Sequence, residues 1–328
     1  MTLKRSLSFT YIMIVILCWS LTNIQVFGTI MGDVNGDGSC NSLDLAQFRL
    51  YSLGSSLPYS NAGDINGDGA INSVDYEYMH QYVLEIIPDF LFVQTKESIS
   101  TPTPVPSAYP TSATKPTVYI AGDSTVQTYE PLYSPLAGWG QMISKYFTSD
   151  VKFVNNAMGG RSSGNFVTEG RLDKILNTIQ RGDYLFVQFG HNDAASNNID
   201  CFTDPFTSYK EYLSKYIDGA REKDAIPVLI TPAAQLNYSA GTYFSDFEYY
   251  CYAMKQVAYE KDCAIIDLMT KCLDYYSTFD YDEVYKFYMV SSNGTDYIHF
   301  TEKGATELAR LVSQGVKELD IPISKCVK

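Results

Sequence analysis

The chain contains only three histidines. One of them, His299, closes a series of four short motifs: Gly122-Asp123-Ser124-Thr125, Gly159-Gly160-Arg161-Ser162, Gly190-His191-Asn192-Asp193 and Asp296-Tyr297-Ile298-His299. A serine hydroxyl becomes a nucleophile when a base takes its proton, and an imidazole base needs a carboxylate to fix its tautomer. Ser124, His299 and Asp296 are of the types these three roles require. His80 lies in a different module, and His191 reads as a structural hydrogen-bonding partner beside Asn192. The chemistry indicated is transfer of an acyl group from an ester.

A second chemistry is written twice near the N-terminus. Between Gly32 and Glu85, Gly-Asp-Val-Asn-Gly-Asp-Gly-Ser-Cys-Asn-Ser-Leu-Asp ends at Asp44, and a near copy ends at Asp75. Each copy places oxygen-bearing side chains at loop positions 1, 3, 5, 9 and 12, with glycine at position 6 for the sharp turn. These residues are Asp33, Asn35, Asp37, Asn41 and Asp44, then Asp64, Asn66, Asp68, Asn72 and Asp75. A hard cation such as Ca²⁺ takes six to eight oxygens, and this spacing wraps them around one point. An apolar-periodic stretch follows each loop (Leu45, Phe48, Leu53; then Tyr76, Met79, Val83).

Composition narrows the partners. The formal net charge of the 328 residues is −13, which argues against nucleic acid, because phosphate binding wants a basic face. Lys4 and Arg5 precede an apolar run, Tyr11 to Trp19, too short for a comfortable membrane span. Residues 1–28 are therefore expected to be a signal peptide, leaving an exported chain with no membrane segment. Cys40, Cys201, Cys251, Cys263, Cys272 and Cys326 would remain, and their spacing shows neither a disulfide framework nor a zinc site. Residues 91–116 are rich in proline and hydroxyl residues, the composition of an extended spacer.

Beyond the spacer, from 117 to 328, short apolar β-branched runs alternate with amphipathic stretches such as Arg171–Ile179 and Tyr209–Arg221. The runs are Thr117–Ala121, Val151–Asn155, Tyr184–Phe189, Ile226–Thr231 and Ala264–Leu268. That alternation predicts an α/β domain with a parallel sheet between helices. Ligands bind such sheets outside the carboxyl ends of the strands. Ser124, Gly160 and Asn192 fall just after the first, second and third runs, so the fold and the site agree.

The four motifs, taken in order, resemble the SGNH hydrolase superfamily. The resemblance implies a flavodoxin-like three-layer fold with Ser124 as nucleophile. It also implies an oxyanion hole built from the backbone N–H groups of Ser124 and Gly160 and the side-chain amide of Asn192. Thr117-Val-Tyr-Ile-Ala-Gly-Asp-Ser-Thr, Gly138-Trp-Gly, Asn156-Ala-Met-Gly-Gly-Arg-Ser, Gly170-Arg and Phe189-Gly-His-Asn-Asp look more narrowly like the rhamnogalacturonan acetylesterases of carbohydrate esterase family 12. In that group Trp139 and Arg161 lie near the cleft; read as bare residues they are equally a packing aromatic and a turn-bracing arginine. The activity this resemblance implies is removal of O-acetyl groups from plant cell-wall polysaccharide. An acetylxylan esterase or a general short-chain carboxylesterase carries the same motifs. A non-catalytic cohesin-binding component is the reading from another class.

The duplicated loops of residues 29–90 resemble a type I dockerin, a small all-α module. The resemblance implies two Ca²⁺ ions, a cohesin module of a scaffoldin as partner, and cohesin contacts at Ser42, Leu43, Ser73 and Val74. The second helical contact pair breaks the symmetry, with Arg49-Leu50 in one copy and His80-Gln81 in the other. The esterase domain is expected to need no cofactor, and the whole to work outside the cell in a cellulosome.

Overall fold

A computed structural model describes residues 31–52, 57, 62–65, 71, 73–83 and 115–328. They fall into two compact units, Met1–Ser98 and Ile99–Lys328. The expected signal peptide, most of the spacer, and the expected metal ligands Asn66, Asp68 and Asn72 lie outside the described residues.

In the first unit, helices α1 (Ser42–Ser52) and α2 (Ser73–Val83) each follow one of the acidic loops. Phe48 and Met79 are fully buried, and the rings of Phe48 and Tyr76 meet edge to face at 6.0 Å. The two loops are tied by Gly32 N–H donating to the Ala62 carbonyl at 2.8 Å.

The second unit is built on five parallel strands: β1 (Thr117–Gly122), β2 (Lys152–Asn155), β3 (Tyr184–Gln188), β4 (Ile226–Ile230) and β7 (Ala264–Ile266). Their order is β2-β1-β3-β4-β7. A two-residue antiparallel ribbon, β5 (Tyr238–Ser239) and β6 (Thr242–Tyr243), is inserted after β4. Every residue of β3 and β4 is buried. Strands covered on both faces read as continuous apolar runs, which is why they stand out in the sequence.

Nine helices are described in this unit: α3 (Trp139–Met142), α4 (Ser163–Thr168), α5 (Arg171–Leu176), α6 (Ser208–Glu222), α7 (Glu248–Glu260), α8 (Leu268–Tyr276), α9 (Tyr281–Tyr285), α10 (Val290–Asn293) and α11 (Glu302–Glu318). Two groups pack among themselves: α4 to α7, of which α6 meets β3 and β4 and α7 meets β7, and α3, α8 and α11, of which α11 meets β7. The spacing of their apolar residues explains the packing. Helix α6 buries Tyr209, Leu213, Tyr216, Ile217 and Ala220; α11 buries Ala305, Leu308, Ala309, Val312 and Val316. Both sets recur every three or four residues, one stripe of a helix.

The strand order reverses around β1, so the crevice beyond β1 and β3 is a topological switch point. Ser124 leaves β1 two residues beyond its end, and Asn192 follows β3 by four.

Candidate active site

The fold brings Ser124 and His299 together from 175 residues apart: His299 Nε2 lies 2.9 Å from Ser124 Oγ. On the other side of the imidazole, Nδ1 is 2.8 Å from Asp296 Oδ2. Asp296 Oδ1 accepts the backbone N–H groups of Ile298 (3.1 Å) and His299 (3.0 Å). Partial burial pushes the Asp296 carboxyl up, but these donors outweigh it, and it sits below the ordinary carboxylate value. An ionised Asp296 accepts a hydrogen bond from Nδ1–H, which keeps the proton on that nitrogen and leaves Nε2 free to accept from the serine hydroxyl.

The histidine is held by the start of α11. Thr301 caps that helix through its hydroxyl, which accepts from Gly304 N–H. The flanking carbonyls of His299 and Phe300 accept from Met289 N–H and Ala137 N–H at 2.8 and 3.0 Å.

The three loops after β1, β2 and β3 are laced to one another in pairs. Gln127 Oε1, from the first, accepts Gly159 N–H of the second. Asp193, from the third, is fully buried and accepts Ser163 N–H (3.0 Å), the Ser163 hydroxyl and the Thr203 hydroxyl (2.7 Å). Burial pushes the Asp193 carboxyl up to about 6 against the pull of those donors. Asn192 Nδ2 donates to the Arg161 carbonyl at 3.1 Å, which spends one amide hydrogen and leaves the other.

Gly160 has φ +73, and a Cβ there would meet nothing within 4 Å. Glycine is therefore used for the backbone angle, which L side chains rarely adopt. Gly190 has φ +147 and its back against Pro232, which a Cβ would strike. Among the described residues, the backbone N–H groups of Ser124 and Gly160 donate to no protein acceptor. With the second Asn192 hydrogen, they are three unspent donors on the loops around the serine.

Beneath the serine runs a buried polar chain that the motifs alone do not reveal. Trp139 Nε1 donates to Gln188 Oε1 (2.7 Å), Gln188 Nε2 to Thr125 Oγ1 (2.7 Å), and Thr125 Oγ1 to Asp123 Oδ1 (2.7 Å). Asp123 Oδ2 faces His191 Nδ1 at 3.5 Å. Both ring nitrogens of His191 are buried and form no hydrogen bond among the described residues; Phe247 covers the ring with centroids 4.6 Å apart. His191 is thus a buried structural partner of Asp123, as expected, and stands outside the line from Ser124 to Asp296. Burial would raise the Asp123 carboxyl, but His191 and Thr125 overcome it and hold it below the ordinary value.

Trp139, which the sequence left open between a cleft residue and a packing aromatic, is fully buried and anchors this chain. Its indole is committed to Gln188, so it cannot meet a substrate. Arg161 braces its own turn, donating to the Gly159 carbonyl at 2.9 Å and pairing with Glu169 at 3.1 Å. The signal for Gln188 was its polarity inside an otherwise apolar strand. Gln188→Leu is expected to leave Trp139 Nε1 and the Thr125 hydroxyl unpaired and to destabilise this domain by about 2–4 kcal/mol. Urea unfolding followed by tryptophan fluorescence measures it.

In the first unit, Asp33, Asp37 and Asp44 bring one carboxylate oxygen each within 4.8 Å of one another. Asp44 is buried, and that burial, with the neighbouring Asp33 and Asp37, drives its carboxyl above the ordinary value despite hydrogen bonds from Asn41 and Asn35. Three converging acids with no cationic side chain among them suit a hard divalent cation. Asn35 and Asn41 line the same loop, where Asn35 Nδ2 donates to Asp37 and Asn41 Oδ1 accepts Leu43 N–H. Of the second set, Asp75 is buried and Asp64 partly so. Of the expected cohesin contacts, Ser42 and Leu43 open α1 on the surface, Leu43 being 64 % exposed, and Ser73 and Val74 open α2. All six described cysteines are free thiols.

The family model described as GDSL-like Lipase/Acylhydrolase matches residues 118–312. The chain belongs to that family. A second model, the dockerin type I domain, matches residues 31–84, so this esterase carries a dockerin at its N-terminal side. The chain is 48% identical over 210 residues to the probable rhamnogalacturonan acetylesterase YesY of Bacillus subtilis, covering 64% of this chain and 96% of that one. It is 37% identical over 216 residues to the rhamnogalacturonan acetylesterase RhgT of the same organism, covering 63% and 91%. Among solved structures, the crystal structure of YxiM from Bacillus subtilis superposes with a TM-score of 0.58 at 31% identity, covering 63% of this chain and 58% of that one. The expected SGNH hydrolase fold is the one found.

Proposed function

We propose that this esterase removes O-acetyl groups from acetylated plant cell-wall polysaccharide, acetylated rhamnogalacturonan foremost, while its dockerin holds it on a cohesin outside the cell. The observation that carries the reading is the hydrogen-bonded line Ser124–His299–Asp296, with distances of 2.9 and 2.8 Å, beside three unspent donors. In this mechanism His299 Nε2 takes the Ser124 proton as Oγ attacks the acetyl carbonyl carbon. The oxygen that becomes negative is met by Ser124 N–H, Gly160 N–H and Asn192 Nδ2. Asp296 stabilises the imidazolium, which then protonates the departing sugar oxygen. Water, deprotonated by His299, releases acetate from the acetyl-serine. The two named acetylesterase relatives support the choice of substrate. Acetate release from acetylated rhamnogalacturonan, acetylated xylan and 4-nitrophenyl acetate, compared side by side, tests it. Faster turnover of xylan than of rhamnogalacturonan would overturn the choice of polymer.

In the dockerin, Asp33, Asn35, Asp37, Asn41 and Asp44 would hold one Ca²⁺, and Asp64, Asn66, Asp68, Asn72 and Asp75 a second. The ions neutralise six aspartates that otherwise repel one another, and two short helices bury too little apolar surface to hold the module without them. Chelation is therefore expected to abolish cohesin binding while esterase turnover persists. A cohesin pull-down and an aryl acetate assay on the same chelated sample measure both. Survival of cohesin binding, or loss of turnover, would contradict the separation of the two functions.

A further inference from the structure

The insertion after β4 is fastened on both sides to the loops that carry His299 and Asn192. On one side, Leu236 N–H donates to the Tyr297 carbonyl, inside Asp296–His299, at 2.9 Å. On the other, the Phe247 ring lies on His191, and the Tyr250 hydroxyl donates to the Asp193 carbonyl at 2.9 Å. Residues 236–250 therefore span from the histidine loop to the asparagine loop, with the β5–β6 ribbon lying between those two attachments along the chain.

This rim keeps large aromatic rings open. Tyr238 is 42 % exposed and Phe244 43 %; Tyr297, between the paired Asp296 and His299, is 45 % exposed. Tyr238 is backed by the buried Tyr243 at 4.7 Å between centroids and by Tyr281 at 5.1 Å. Its ring is thus fixed in place while part of its surface stays in water. Single exposed apolar residues need no explanation, but a group of them at the edge of a site marks a binding surface.

We propose that Tyr238, Phe244 and Tyr297 form a sugar-stacking rim that takes pyranose rings of the polymer flanking the acetylated residue. The C–H face of a pyranose is a flat apolar surface that suits an aromatic face. The chain's net charge of −13 gives no long-range attraction for an acidic polysaccharide, so recognition has to come from short-range contacts of this kind. The inference rests on the polysaccharide reading above. It adds that substrate length is sensed by the β5–β6 insertion.

The test uses the full chain with Tyr238→Ala, Phe244→Ala and their combination, assayed on acetylated rhamnogalacturonan and on 4-nitrophenyl acetate. The ratio of kcat/KM on polymer to kcat/KM on the aryl ester should fall roughly fivefold for each single change and roughly twentyfold for the pair, through KM. Tyr238→Phe should restore the ratio, since the ring face and not the hydroxyl makes the contact. A ratio within twofold of wild type in the double variant would overturn the rim, as would Tyr238→Phe being as defective as Tyr238→Ala. Should Tyr238→Ala fail to fold, Phe244→Ser alone decides. Wild-type enzyme active on the aryl ester but on no polysaccharide would instead sink the substrate reading, a result distinct from an unchanged ratio.

Discussion

Ser124→Ala is expected to lower kcat on any acetyl ester by at least about a thousandfold while leaving the fold and cohesin binding intact. The hydroxyl accounts for one contact in the structure, the 2.9 Å approach to His299 Nε2. Its removal strands no buried donor, because the serine side chain is only partly covered and His299 is 30 % exposed. The turn itself is held by Asp123, which accepts Thr125 N–H at 2.9 Å, and by the Tyr129 hydroxyl, which donates to the Ser124 carbonyl at 2.8 Å. Chemistry and folding are therefore separable at this position. A burst of 4-nitrophenol with wild-type enzyme, absent from the variant, would report the acetyl-serine directly. Retention of more than about a thousandth of wild-type turnover would remove Ser124 from the role of nucleophile.

The sequence made the scaffold legible because buried parallel strands leave an unambiguous trace. All five expected runs are strands, each within two residues of its expected limits. The largest discrepancy has a local cause. The fifth run was expected to reach Leu268, but Asp267 turns its carboxylate to Thr270 N–H and caps α8, so β7 stops at Ile266. Likewise the helix expected over Arg171–Ile179 ends at Leu176, with Asn177 as its C-cap. The paired Ser124 and His299 were legible through the rarity of histidine. What supports them was not. Gln188 and Thr125 are 63 residues apart, Ser163 and Asp193 are 30 apart, and Gln127 and Gly159 are 32 apart. A polar residue in a sequence does not announce that it will be buried, nor which distant loop will satisfy it. Trp139 shows the same limit from the other side. Its motif left a cleft residue and a packing aromatic equally open, and only its burial decides for a post beneath the site.

Asn192→Ala carries the second large effect, and it separates two jobs that one side chain does. Its Nδ2 donates to the Arg161 carbonyl at 3.1 Å, which ties the third loop to the second. The remaining hydrogen is the one available to an oxyanion. Loss of the tie should cost about 1 kcal/mol of stability, the net worth of an ordinary hydrogen bond. It should not collapse the loop, because Asp193, the next residue, remains gripped by Ser163 and Thr203. Loss of the donor acts only where charge develops, so kcat should fall by about a hundredfold to a thousandfold with KM little changed. The two consequences are read by different measurements, thermal unfolding for the tie and steady-state kinetics for the donor. A rise in KM with kcat untouched would place Asn192 in ground-state binding. A fall in kcat matched by a large loss of stability would mean that the loop, not the amide, had been removed. Stability nearly intact with kcat down by two orders of magnitude is the combination that assigns the amide to the transition state.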